Sequence, residues 1–109
     1  MAVNNEIGSL NDISSISKIV SKYPKCVFIS DVTQAIGKIE LNYNHIDMFS
    51  MSSHKIGGLK GSGFLIKRKK INLLTLFDGG GQENGYRSGT IATSLCYSTA
   101  VALKDTISN

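Results

Sequence analysis

The chain predicts an α/β fold, an open sheet whose strands are joined by helical segments and whose polar residues gather at strand ends. Three observations point there. Short apolar runs occur at 26–29, 46–51 and 63–66. Stretches with helical spacing precede the first run and follow the last. An aspartate, Asp31, and a lysine, Lys55, stand just past the first two runs. Open α/β sheets bind ligands beyond the carboxyl ends of their strands, and both charged residues fall there.

Taken in order, Leu10, Ile13, Ile16, Ile19 and Val20 recur at helical spacing, with Asn11 or Asp12 as cap and Pro24 beyond the end. Residues 26–29 form a short β-rich run that stops at Ser30-Asp31, as a buried strand with an acid at its carboxyl end would. Residues 32–45 turn through Gly37 and are long enough for a crossover to a parallel neighbour. The run at 46–51 is that neighbour. Residues 63–66 read as a further strand, and the short glycine-rich link before it permits an antiparallel return. The apolar stretch 71–77 leads into a glycine loop at 78–81. From Thr90 to Leu103 the spacing predicts a closing amphipathic helix, capped by Thr90 or Thr93.

With 109 residues the chain makes one domain at most, and a chain of this size buries roughly 60 to 70% of its unfolded surface. Apolar residues make up 41% of it, and no run is long enough to span a bilayer. The residues after Met1 resemble no secretory signal, so a cytoplasmic location is the default expectation. Part of the net charge of +4 sits in Lys67-Arg68-Lys69-Lys70. That cluster reads as a solvated turn or as a patch for nucleic acid or an anionic membrane; without interleaved aromatics the turn is favoured and nucleic acid is not expected. Cys26 and Cys96 read as buried free thiols. Neither they nor His45 and His54 have metal-ligand spacing, and no metal is assigned. The run Gly58-Leu59-Lys60-Gly61-Ser62-Gly63 lacks the ending of a P-loop and opens no helix, which removes nucleotide binding.

The chemistry centres on Ser52-Ser53-His54-Lys55 and the glycines from Gly57 to Gly63. Serine and histidine can donate hydrogen bonds, and the glycines let backbone approach a ligand closely. An amine held in such a place can form a Schiff base with a carbonyl cofactor.

Ser52-Ser53-His54-Lys55-Ile56-Gly57-Gly58-Leu59-Lys60-Gly61-Ser62-Gly63 and Gly79-Gly80-Gly81-Gln82-Glu83-Asn84-Gly85-Tyr86-Arg87-Ser88-Gly89-Thr90 together resemble the cysteine desulfurases. These are the NifS- and IscS-like members of the class V aminotransferases, which use pyridoxal phosphate. Val3-Asn4-Asn5-Glu6-Ile7-Gly8 and Asp31-Val32-Thr33-Gln34 agree in order and spacing. The resemblance spans nearly the whole chain but only a middle slice of the family's enzyme. It implies the central part of the cofactor-binding large domain of the fold-type I transferases, three layers α/β/α, without the N-terminal part and the C-terminal small domain, and with the 63–66 strand antiparallel.

The resemblance also implies roles. Lys55, with His54 beside it, is the catalytic candidate: the amine holds the cofactor aldehyde and, once displaced, shuttles the α-proton. Asp31 pairs with the pyridinium nitrogen, since a nearby carboxylate favours its charged form. Asn5 and Gln34 face the phenolic oxygen. Ser52, Ser53 and His54 serve the phosphate, and Thr90 reaches the partner subunit's cofactor, which implies a homodimer.

The parent reaction takes L-cysteine to L-alanine and passes sulfur as persulfide to a scaffold protein for iron–sulfur clusters or to thiolated tRNA. Leu59 departs from the proline common at its place, a change worth a few tenths to about 1 kcal/mol. A ring-stacking histidine expected upstream of Asn4 and a persulfide-forming cysteine expected well downstream have no match in residues 1–109. Cys96, on a helix read as buried, and Cys26, in a core strand, do not replace that cysteine. The leading expectation is therefore an enzyme fragment without desulfurase turnover of its own. A non-catalytic interaction module, or another class V enzyme such as a selenocysteine lyase, are the alternatives. An incomplete sheet would leave apolar surface bare.

Overall fold

A computed structural model of the chain describes residues 1–108. The first helix, α1 (Ile13–Val20), starts where the Asp12 carboxylate accepts from the amide of Ser15 at 2.9 Å and from its hydroxyl at 2.7 Å. Of the two candidate caps the acid is the one used. Leu10, expected on this helix, lies before it and bridges antiparallel to Val3. It is exposed for that reason, while Ile13 is buried.

Three strands follow: β1 (Ile29–Asp31), β2 (Met48–Ser52) and β3 (Gly63–Lys67), in the order β1-β2-β3. β1 runs parallel to β2 with Asp31 opposite Ser50, and β3 returns antiparallel with Gly63 opposite Ser52. The crossover and the return are those expected, but β1 begins later than its apolar run. Cys26 closes a turn onto the carbonyl of Tyr23, and the Phe28 carbonyl accepts from the amides of Asp47 and Met48. Cys26 is consequently exposed and Cys96 half-buried, contrary to the buried thiols expected.

The core gathers Ala2, Ile13, Val32, Ala35, Ile36, Ile46 and Met51. Most of these residues belong to the crossover and the central strand, so the best-packed part of the molecule lies next to Asp31 and the end of β2. β3 is different: Phe64, Leu65 and Ile66 are all exposed. The apolar stretch 71–77 forms no helix or strand, and Leu74 is 99% exposed. Bare apolar surface was expected of an incomplete sheet, and it is present.

The closing helix α2 (Thr93–Ser108) begins at Thr93 and leaves Thr90 in the preceding loop. Its one buried residue is a threonine, Thr99, rather than a large apolar side chain. Its inward face mixes half-buried Leu95 and Leu103 with small hydroxyl side chains because the helix lies against glycines. A Cβ on Gly37 would come within 1.7 Å of Thr106 Cγ2, and one on Gly61 within 3.4 Å of Leu95 Cδ1.

The basic run is a turn in which the chain itself holds three of the four cations. Arg68 and Lys70 pair with Asp47 at 3.9 and 3.6 Å, and the Arg68 guanidinium also bonds the Asn44 carbonyl. Lys67 donates to the Ile71 carbonyl at 2.9 Å and lies 4.8 Å above the Tyr86 ring. Among the described residues no helix is long and apolar enough to cross a membrane.

Candidate active site

Two adjacent parallel strands deliver Asp31 and Lys55 to the same end of the sheet. Asp31 is the last residue of β1, and Lys55 ends the short 3-10 turn Ser53–Lys55 that follows β2 directly. The two strand ends are tied together: the Ser52 amide donates to Thr33 Oγ1 at 3.2 Å, and the Thr33 amide donates to Asp31 Oδ1 at 2.8 Å. Thr33 thereby fixes the carboxylate and the start of the lysine turn relative to each other. Sequence reading gave Thr33 no role, although it stands within the motif that carries Asp31.

The N-terminal segment is attached to the same strand end. Ala2 donates its amide to the Asp31 carbonyl at 2.8 Å, and Asn4 builds the following turn by accepting from the amides of Glu6 and Ile7. Asn5 is at the exposed corner of that turn. Gln34 is half-buried, with its side-chain carbonyl engaged by Lys38 Nζ at 3.0 Å and its amide hydrogens left as donors.

Around Lys55 the backbone is closed by Ser53. The Ser53 carbonyl accepts from the amides of Ile56 and Gly58, both at 3.1 Å, and its own amide donates to the Ser62 carbonyl at 3.1 Å. The Ser53 side chain is wholly buried, with Oγ 2.7 Å from Thr99 Oγ1. Its hydroxyl therefore faces α2 rather than the open end of the sheet where a phosphate donor would be expected. Ser52 is half-buried, and Lys55 and His54 are exposed. Thr90 is also exposed, after Gly89, whose φ of 111° is left-handed and whose amide donates to Gln82 Oε1.

Leu59, at the place of the common proline, donates its amide to Ser98 Oγ at 3.2 Å. A proline has no N–H to give, so the departure from the motif is matched by a bond. Ser62, Ser98 and Thr99 were not singled out in the sequence. The available signal was a set of hydroxyls, Ser98, Thr99 and, two turns on, Thr106, on a helix with few large apolar residues.

A groove of about 620 Å³ lies at the opposite end of the sheet, lined by Cys26, His45, Asp47, Arg68 and Lys70 among others. It shares no residue with the Lys55 end, and its charged rim is occupied by the ion pairs of Asp47.

The comparisons with known proteins agree with this geometry. The family model described as aminotransferase class-V matches residues 1–104. The chain is 46% identical over 106 residues to the cysteine desulfurase IscS of Rickettsia prowazekii, covering 94% of this chain and 26% of that protein. It is 48% identical over 99 residues to the mitochondrial cysteine desulfurase of Saccharomyces cerevisiae, covering 87% and 20%. Among solved structures, a NifS-like protein from Rickettsia africae superposes with a TM-score of 0.94 at 36% identity, over 99% of this chain and 30% of that one. DndA from Streptomyces lividans gives 0.87 at 32% identity. The chain thus spans about a quarter of the length of the curated relatives it matches. A family model matched from the first residue to 104, together with a NifS-like fold built around the lysine turn, means that this chain belongs to the class V aminotransferase family.

Proposed function

We propose that residues 1–109 are the central, lysine-bearing part of the pyridoxal-phosphate-binding large domain of a cysteine desulfurase. The observation that carries this is the placement of Lys55 and Asp31 at the carboxyl ends of neighbouring parallel strands. The residues present fit the cofactor. Lys55 has no ion-pair partner among the described residues, and Asp31 accepts a hydrogen bond on Oδ1 only, leaving Oδ2 available. Gly57, at a φ of 88°, has open space where a Cβ would stand, which leaves room for a ligand beside the backbone.

When bound, pyridoxal phosphate supplies an electron sink for carbanion chemistry at the substrate's α-carbon. Lys55 holds the aldehyde carbon and, once released, carries the α-proton. Asp31 keeps the ring nitrogen protonated through its negative charge. The amides of Asn5 and Gln34 serve the phenolic oxygen, and Ser52 and His54 serve the phosphate. Thr90 extends toward the cofactor of a second subunit, which makes the working unit a homodimer. The substrate class is L-cysteine, and the sulfur leaves as persulfide for a scaffold protein or for tRNA thiolation in the cytoplasm. Cys26 lies at the opposite end of the sheet from Lys55, and Cys96 is half-buried within α2. Residues 1–109 alone are therefore expected to give no desulfurase turnover.

The test is to add pyridoxal phosphate, reduce with borohydride and map the modified lysine by mass spectrometry. Selective labelling of Lys55, abolished in Lys55→Ala, is expected. Labelling spread across the exposed lysines would sink the proposal. A second reading, a non-catalytic interaction module, is favoured by the exposure of Leu74, Leu76 and Phe77. Diffuse labelling combined with stable complex formation with a full-length homologue would favour it.

A further inference from the structure

α2 contains no residue assigned to cofactor or substrate, yet three of its hydroxyl groups make four contacts with the loop that carries Lys55. Thr99 Oγ1 lies 2.7 Å from Ser53 Oγ and 2.9 Å from Ser62 Oγ, and 2.9 Å from the Leu95 carbonyl of its own helix. Ser98 Oγ accepts from the Leu59 amide, and Thr106 Oγ1 donates to the Ile56 carbonyl at 3.4 Å. Thr99 is 1% exposed and Ser53 is 0% exposed, so water does not replace the bond between them.

A threonine hydroxyl offers one proton and two lone pairs, and Thr99 has three partners. Its single proton is shared between Ser53 Oγ and the Leu95 carbonyl, and its oxygen accepts from Ser62. The hydroxyl is thus engaged as donor and acceptor in a buried place, the condition under which a polar network rigidifies its surroundings. The partners bracket the lysine loop. Ser53 opens the 3-10 turn and Ser62 immediately precedes β3, so one side chain of α2 holds both ends of the segment containing Lys55.

We infer that Thr99 is a positioning residue for Lys55, holding the lysine turn through the Ser53 and Ser62 hydroxyls. This rests on Lys55 being the cofactor lysine only for its functional meaning; the brace itself is a property of the fold. Thr99→Val keeps the shape of the side chain and removes the hydroxyl, leaving the buried Ser53 Oγ without its partner. Thr99→Ser keeps the hydroxyl.

The experiment measures amide hydrogen exchange of the whole chain without cofactor, residue by residue, alongside borohydride labelling with pyridoxal phosphate. In Thr99→Val the Ser53, Ile56 and Gly58 amides are expected to exchange about tenfold faster, with β1 and the crossover unchanged and Thr99→Ser close to wild type. Selective labelling of Lys55 falls in the same variant and returns in Thr99→Ser. Wild-type exchange at those three amides in Thr99→Val overturns the inference, as does a loss of protection spread evenly over β1, β2 and β3. Faster local exchange with no selective Lys55 labelling in any form of the chain upholds the brace and overturns the cofactor reading instead.

Discussion

Ser53 uses its amide, its carbonyl and its hydroxyl in the structure of the lysine turn, and Gly58 is the residue that makes room for it. A Cβ at Gly58 would lie 2.0 Å from Ser53 Oγ and 3.2 Å from the Ser53 carbonyl oxygen. A serine hydroxyl at a surface would rotate away from such a clash. Here rotation breaks the bond to Thr99 inside the fold. Gly58→Ala is therefore expected to destabilise the chain by about 1–3 kcal/mol, read as a lower denaturant midpoint with an unchanged slope. A midpoint equal to that of wild type would show that the Ser53–Thr99 contact yields freely. The same locality explains what could be read at this scale before any coordinates. Lys55 and the glycines after it form a contiguous pattern along the chain, and Asp31 stands in a short motif at the end of an apolar run. Thr99 touches Ser53 across 46 residues and carries no motif of its own.

The elements differ in how fully the sequence disclosed them. α1 was legible because its cap and its apolar spacing are local features. Its Asp12 carboxyl is held below the ordinary carboxylate value, first by the Ser15 hydroxyl and then by the Ser15 amide. A depressed folded-state value contributes stability that is complete above the unfolded value and is lost as pH falls through the folded one. Helical chemical shifts of 13–20 should therefore hold steady from neutral pH down to about pH 5 and fray below about pH 4. Asp12→Asn, which still caps but does not titrate, should remove the pH dependence; persistence of that dependence in the variant would show that another group governs it. α2 was located correctly but its inward face was not. Helical spacing signals large apolar residues, whereas a helix lying on glycines needs small side chains that can also bond loop backbone. β1 was placed early for a related reason: a β-rich composition continues into residues that Asp47 engages with its side chain and backbone rather than in a ladder.

At the scale of the whole molecule the packing is uneven. The crossover side has a continuous core, whereas β3 and the stretch 71–77 expose Phe64, Leu65, Ile66, Leu74, Leu76 and Phe77. Bare apolar surface beside an edge strand favours self-association. Light scattering of the isolated chain is expected to rise with concentration, and Leu74→Lys with Leu76→Lys should lower it while moving stability by no more than about 0.5 kcal/mol per substitution. Unchanged scattering would place the sticky surface elsewhere. The long reach of α2 also bears on how the chain is made. Its contacts with Gly37, Ser53, Ile56, Leu59 and Ser62 all join this helix to segments translated well before it. At roughly 5–20 residues per second the lysine turn emerges from the ribosome seconds before its support, and for that interval the Lys55 amine is carried on an open loop.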